Sequence, residues 1–137
     1  MLVRLSNEEE PVVRTILSID EESRSMLFAG DVPEGASVRF MKANFDRLVD
    51  AASSAATQTL QHNERGQSSF SILISCVGRK IILGNRITEE VEAVKEVFGN
   101  NSFVTGFYSY GEIAPSRPQA LCQLHNQTMT VTNISER

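Results

Sequence analysis

The sequence predicts an α+β domain, in which a largely antiparallel sheet of about five to six strands packs with two main helices. Segments of alternating or β-branched apolar residues lie before, between and after two segments whose apolar residues recur at three- and four-residue spacing. A length of 137 residues, with 41% hydrophobic and 22% charged residues, suits one globular domain with a substantial core.

The first part of the chain predicts three short strands joined as an antiparallel meander. Residues 1–10 end in three glutamates and are expected to form a leader or linker, so the domain is expected over residues 11–137. An acidic turn separates the first two strands, and a turn with Pro33 and Gly35 separates the second and third. The predicted strands are Pro11–Ile19, Ser25–Ala29 and Ser37–Met41.

Two helices are predicted from the apolar spacing. Asn44 is suited to cap the first, and Thr88 the second, in which Glu89 and Glu90 occupy the first turn where the helix dipole favours anions. Gly99 is placed to end the second helix. The apolar stripe of the first helix is Phe45, Leu48, Val49, Ala52, Ala55, Ala56 and Leu60, and that of the second is Val91, Val94, Val97 and Phe98.

Alternation predicts further strands between and after the helices. Phe70 to Cys76 alternates clearly, whereas Lys80–Gly84 suits either a strand or a short helix. Alternation over Thr128–Ile134 predicts a last strand that is paired inside a sheet.

The stretch Gly106–Pro115 is unusual, because it places two tyrosines and a carboxylate between glycines. Interpreted as a strand, it puts Tyr108, Tyr110 and Glu112 on one face, which is a plausible binding face. Gly106 shares that face and would let a ligand or another backbone approach closely.

Composition excludes several function classes. A formal charge of −4 and the absence of a basic patch argue against nucleic acid as a main partner. No apolar run approaches the roughly 18–20 residues of a membrane span, and no signal peptide is recognised. Cys76 and Cys122 do not make a disulfide framework, so a reducing, cytoplasmic setting is expected.

Three polar blocks could carry chemistry: Cys76–Arg79, Tyr110–Glu112 and Leu124–Thr128. Each also has a purely structural interpretation. Cys76 continues an apolar strand face and is favoured as a small buried thiol. Arg79 could be a solvated charge or could pair with Glu112. His125 could cap a turn or satisfy a core hydrogen bond. The tyrosine rings could pack against the protein with their hydroxyl groups in water.

These blocks resemble the C-terminal domain of the FIST family, a family of sensory domains in intracellular signal-transduction proteins. The resemblance rests on Cys76–Arg79, Gly106–Ile113 and Leu124–Thr130, and on Val12–Arg14 and Gly30–Gly35 near the start. It implies a non-catalytic small-molecule sensor with amino acids as ligands, no cofactor, and a FIST N-terminal domain in the parent chain.

The chemistry of the residues agrees with an amino-acid ligand. Arg79 would bind the ligand carboxylate and Glu112 its ammonium group, while Tyr108 or Tyr110 would wall the side chain. His125 and Asn126 would complete the hydrogen bonds to the ligand. The candidate ligand-binding residues are therefore Cys76, Arg79, Tyr108, Tyr110, Glu112, His125 and Asn126.

Two other function classes remain open on the sequence. Cys76, His125 and Asn126 or Glu112 have the residue types of a thiol enzyme, although no nucleophile elbow is recognisable. A metal site that uses Cys122 is weaker still, because the soft ligands are too few for closed zinc coordination. Alternatively, the tyrosine face could bind a partner protein or a second copy.

Overall fold

The computed structural model describes residues 2–6, 11–60, 69–116 and 119–135. The strands in this part of the chain are β1 (Leu2–Ser6), β2 (Val13–Asp20), β3 (Ser25–Phe28), β4 (Ser37–Met41), β5 (Ser69–Cys76), β6 (Ser102–Ser109), β7 (Glu112–Pro115), β8 (Cys122–His125) and β9 (Met129–Ser135). The α-helices are α1 (Phe45–Thr59), α2 (Val77–Leu83) and α3 (Ile87–Phe98). The predicted α+β class is confirmed.

The strands form three sheets rather than one. Their orders are β3-β2-β1-β4, β6-β5-β9 and β7-β8. Among the described strands, β5 and β6 are parallel and the other pairs are antiparallel, so the sheets are largely antiparallel as predicted. A parallel strand pair needs a long crossover connection, and α2 and α3 supply it between β5 and β6.

Strand β1 lies within the segment that was expected to be a leader, of which residues 7–10 fall outside the described residues. β1 pairs with β2 and with β4, so that Val3 lies opposite Arg14 on one side and Phe40 on the other. The predicted meander is therefore wrong in its connections: β2 and β3 form a hairpin, but β4 pairs with β1.

Helices α1 and α3 cover one face of the β6-β5-β9 sheet. The core between them contains Ala52, Ala56, Leu73, Val94 and Phe98. Ala52 and Ala56 are fully buried, and their small side chains let α1 lie close to its neighbours. Asn44 caps α1 as predicted, since its Oδ1 accepts from the Arg47 N–H at 3.2 Å.

Helix α3 departs from the prediction at two points. It begins at Ile87 with Arg86 at the cap position, so Thr88 is not its N-cap. Val91 is exposed, whereas Glu90 is fully buried on the same face as Val94 and Phe98. The predicted apolar stripe left out Glu90 because a glutamate is seldom buried, while in the fold it has polar partners from β5, β6 and α2.

The later strands also differ from expectation. The stretch Gly106–Pro115 is not one strand, because β6 ends at Ser109 and β7 begins at Glu112. Lys80–Gly84 proves to be helical, in the end of α2 and the 3₁₀ turn that follows. β9 pairs only with β5 among the described residues, so it lies at a sheet edge and not inside a sheet.

Gly106 has the close backbone contact that its position predicts. It lies opposite Leu73 in the parallel β5–β6 pair. A Cβ atom at Gly106 would overlap the carbonyl group of Leu73. The approaching group is therefore another backbone, and glycine is required for these two strands to pack in this register.

Candidate functional site

The structure separates the candidate residues into two groups. We call Ser75, Arg79, Glu90 and Tyr108 the helix cluster, because they meet where α2 and α3 cover β5 and β6. We call Ser109, Glu112, His125, Asn126 and Thr128 the hairpin cluster, because they surround the β7–β8 hairpin. Tyr110 belongs to neither and is 90% exposed in the turn between β6 and β7.

The helix cluster is built around a buried ion pair. The Nε and Nη2 atoms of Arg79 each lie 2.9 Å from Oε2 of Glu90. Nη2 also donates to the Leu48 carbonyl of α1 at 2.7 Å. Arg79 is 1% exposed and Glu90 is 0% exposed. Both structural interpretations of Arg79 from the sequence, a solvated charge and a pair with Glu112, are therefore wrong.

Tyr108 is held in the same cluster by its phenol, which donates to Oε1 of Glu90 at 3.3 Å. Ser75 donates to the same oxygen at 3.1 Å. The ammonium group of Lys80 lies 5.0 Å from the centre of the Tyr108 ring, within cation–π distance. Burial, together with the negative charge of Glu90, raises the pKa of Tyr108 above its ordinary value.

This shift predicts an alkaline limit to stability. A folded-state pKa above the unfolded one makes a contribution that is complete below about pH 10, where tyrosine in the unfolded chain ionises, and is lost as pH rises towards the folded pKa. We expect the free energy of unfolding of Tyr108→Phe to fall less than that of the wild type above about pH 10. Urea titrations across this range measure the difference. Tyr110→Phe controls for loss of a phenol, and equal slopes for both variants would contradict the expectation.

The hairpin cluster is built around Glu112, which is 3% exposed. Its Oε1 accepts from the Ser109 hydroxyl and its Oε2 from the Thr128 hydroxyl, both at 2.6 Å. No ion pair to Glu112 occurs in the described part of the chain. Among the described residues, this buried carboxylate is thus held by neutral donors alone, which do not compensate its charge and leave some of its lone pairs available.

The segment Leu124–Thr128 connects two of the sheets. Asn126, which is 1% exposed, accepts from the Thr15 N–H of β2 through Oδ1 at 3.2 Å and donates to the His125 carbonyl at 3.1 Å. At its other end, the Thr128 carbonyl accepts from the Cys76 N–H at 2.9 Å. The block selected from the sequence is therefore a junction between the β2 sheet and the end of β5.

Three residues near this junction were not among the candidates. Arg14 donates to the Leu124 carbonyl from Nη1 at 2.7 Å. The Thr15 hydroxyl and Oε1 of Gln127 are buried and have no hydrogen-bond partner among the described residues. A lone arginine in the β-branched run of β2 was the available sequence signal for Arg14, and Gln127 lies inside the Leu124–Thr128 block, whereas nothing local distinguished Thr15.

Among the described residues, no hydrogen bond joins the proposed thiol of Cys76 to the imidazole of His125. Cys76 is 4% exposed, which confirms the buried thiol. Nε2 of His125 lies 2.9 Å from the Ala114 carbonyl, so that nitrogen faces the opposite strand of its own hairpin. Within the described ranges, no group of three or more His, Cys, Asp or Glu side chains is positioned to hold a metal ion.

A family model described as the FIST C domain matches residues 1–115. The chain belongs to the FIST C domain family. FIST C domains are sensory domains of signal-transduction proteins, which agrees with the resemblance seen in the sequence. Searches of curated proteins and of solved structures each gave no match.

The FIST C match covers part of the candidate site. It includes the Cys76–Arg79 block and the Gly106–Ile113 block, and therefore Arg79, Tyr108 and Glu112. It ends at residue 115, before the Leu124–Thr128 junction. In the described part of this FIST C domain, no helix is both long and apolar enough to span a membrane.

Proposed function

We propose that this FIST C domain senses an amino acid, and that the ligand binds at the hairpin cluster with its ammonium group on Glu112. The observation that carries the proposal is the buried Glu112 carboxylate, which has two hydroxyl donors and no cation among the described residues. Burial of an anion is costly unless a cation compensates it. A ligand ammonium group supplies that charge and can donate to lone pairs that the hydroxyls leave open.

Neighbouring groups support the same ligand class. His125 lies directly opposite Glu112 in the hairpin, and Asn126 fixes the junction behind it. The exposed ring of Tyr110, two residues before Glu112, is available to cover a ligand side chain.

The proposal changes the role of Arg79 from the one that the sequence suggested. Its Nε and Nη2 are already occupied by Glu90 and Leu48, so it is not free to present a bidentate fork to a ligand. We assign Arg79 and Tyr108 to positioning, because their bonds to Glu90 hold α2 and β6 on α3. Near these two residues in the chain, Cys76 and Ser109 pair at the ends of β5 and β6. Cys76 contributes its backbone N–H to the junction.

The test is calorimetric titration of the wild type and Glu112→Gln with the common amino acids. Gln keeps the shape and an acceptor for a hydroxyl but removes the charge. Loss of a charged hydrogen bond, worth about 1.5–3 kcal/mol, is expected to weaken the best-bound amino acid by about ten- to a hundredfold.

Glu22→Gln is the matched control, because Glu22 lies in the exposed turn before β3, and it should bind as the wild type does. Thermal unfolding of Glu112→Gln without ligand would verify that the variant is folded. Equal affinities for the wild type and folded Glu112→Gln would refute the role of Glu112.

A further inference from the structure

We infer that Arg14 binds the carboxylate of the ligand whose ammonium group lies on Glu112, so that the site selects zwitterionic amino acids over simple amines. The inference rests on the proposed function and adds the second recognition contact. Arg79 was the expected carboxylate partner, but its guanidinium is occupied by Glu90 and Leu48. The site therefore needs another cation.

Arg14 is a buried cation that has no anionic partner among the described residues. It is 9% exposed, and its described acceptors are all backbone carbonyls. Nε donates to Asp31 at 3.0 Å, and Nη1 donates to Leu124 at 2.7 Å and to Val13 at 3.4 Å. Among the described residues, Nη2 has no hydrogen bond and no acidic side chain forms an ion pair with Arg14. Within the described part of the chain, the Arg14 guanidinium therefore has no counter-ion.

The other described arginines do not share this environment. Arg79 is buried but pairs with Glu90. Arg86 bridges Asp46 and Glu89 at the surface. Those at positions 24, 39 and 47 are exposed. Within the described chain, Arg14 alone combines burial of nine-tenths with the absence of an acidic partner.

The end of β8 lies close to both Arg14 and Glu112, because the Leu124 carbonyl accepts from Arg14 and His125 lies opposite Glu112. Gly30 lies on one side of Leu124, where an added Cβ would be 3.0 Å from Nε of Arg14 and 3.3 Å from Cδ2 of Leu124. Gly111 lies on another side, where a Cβ would be 3.0 Å from Cδ1 of Leu124, and it directly precedes Glu112. Both uncompensated charges therefore lie beside the end of β8.

The two charges are opposite in sign and both are buried, which matches the two poles of an amino acid. An arginine N–H donates a charge-assisted hydrogen bond to a carboxylate, and Nη2 is the donor that Arg14 has left for it. A carboxylate would also relieve the cost of the buried guanidinium, as the ammonium group does for Glu112. An amine without a carboxylate would leave the Arg14 charge uncompensated.

The experiment compares each amino acid with the amine that lacks its carboxylate: alanine with ethylamine, leucine with 3-methylbutylamine, and phenylalanine with 2-phenylethylamine. Calorimetric titrations use the wild type, Arg14→Lys and Glu112→Gln. Lysine keeps the positive charge and a hydrogen-bond donor, but it lacks the Nη2 group that would bind the ligand carboxylate. Arg47→Lys, at an exposed position of α1, is the matched control.

In the wild type, at least one amino acid is expected to bind about tenfold or more tightly than its amine. Arg14→Lys should weaken the amino acid much more than its amine and so remove most of that preference, whereas Glu112→Gln should weaken both compounds. Equal wild-type binding of each pair, or equal weakening of both members by Arg14→Lys, would overturn the role of Arg14 and leave the proposed function standing. Absence of binding by every compound would overturn both. The wild-type comparison needs no variant, so the inference is testable even if Arg14→Lys fails to fold.

Discussion

Arg79→Ala is expected to lower the free energy of unfolding by about 3–5 kcal/mol, because it leaves a buried carboxylate without its cation. Glu90 is 0% exposed and would keep only the hydroxyls of Ser75 and Tyr108 as donors. The Leu48 carbonyl would lose its donor as well. Since a domain of this size is stable by only about 5–15 kcal/mol, the loss would be a large fraction of the total.

Urea unfolding followed by circular dichroism measures this effect. Arg86→Ala is the control. Like Arg79, Arg86 forms ion pairs with carboxylates, but these pairs lie at the surface, where water and salt screen the charges. Its effect should be much smaller. The double variant Arg79→Met, Glu90→Leu should cost less than the sum of the two single variants, because it removes both charges together. Additive losses would contradict the ion pair as the cause.

Asn126→Leu is expected to cost about 3 kcal/mol, since leucine has a similar size but leaves the Thr15 N–H and the His125 carbonyl without this partner. Each buried group left unpaired costs about 1–3 kcal/mol. Because Asn126 is 1% exposed, water is not available as a replacement in the folded state.

Hydrogen exchange tests the same change at a single atom. The Thr15 amide should exchange faster in Asn126→Leu, relative to amides of the β5–β6 pair, because its acceptor lies in the junction and not in the β2 sheet. Asn85→Leu is the control, as Asn85 is exposed in the 3₁₀ turn after α2. Unchanged protection of the Thr15 amide would show that Asn126 does not link the two sheets.

Local signals were sufficient for several elements. The alternation of β5 and the Asn44 cap of α1 each depend on residues a few positions apart, and both predictions are confirmed. β1 was missed because it is only five residues long and precedes a run of glutamates. β8 was missed because its four residues show no recognisable strand pattern beside the loop that precedes it. Both strands are defined by their partners, β1 by β2 and β4 and β8 by β7.

For the candidate site too, residues were recognised from local signals, whereas their distant partners were not. The sequence identified Glu112, His125 and Asn126 as unusual polar groups, and the structure brings these residues together in the hairpin cluster. It could not predict the partner of Arg79, because Glu90 lies on a different helix and was interpreted only as a first-turn residue of that helix. Arg14 was not among the candidate ligand-binding residues, because its contacts with Asp31 and Leu124 span 17 and 110 residues of chain.

The sequence by itself determined the α+β class, the helix α1 with its cap, the alternation of β5 and the membership of the FIST C domain family, since each depends on short-range pattern or on motif order. Only the tertiary structure decided which charges are paired. Arg79 is neutralised by Glu90, whereas Arg14 and Glu112 are buried without counter-ions among the described residues. The physical reason is that electrostatic energy depends on distance and burial in the folded chain, and no local pattern encodes either quantity.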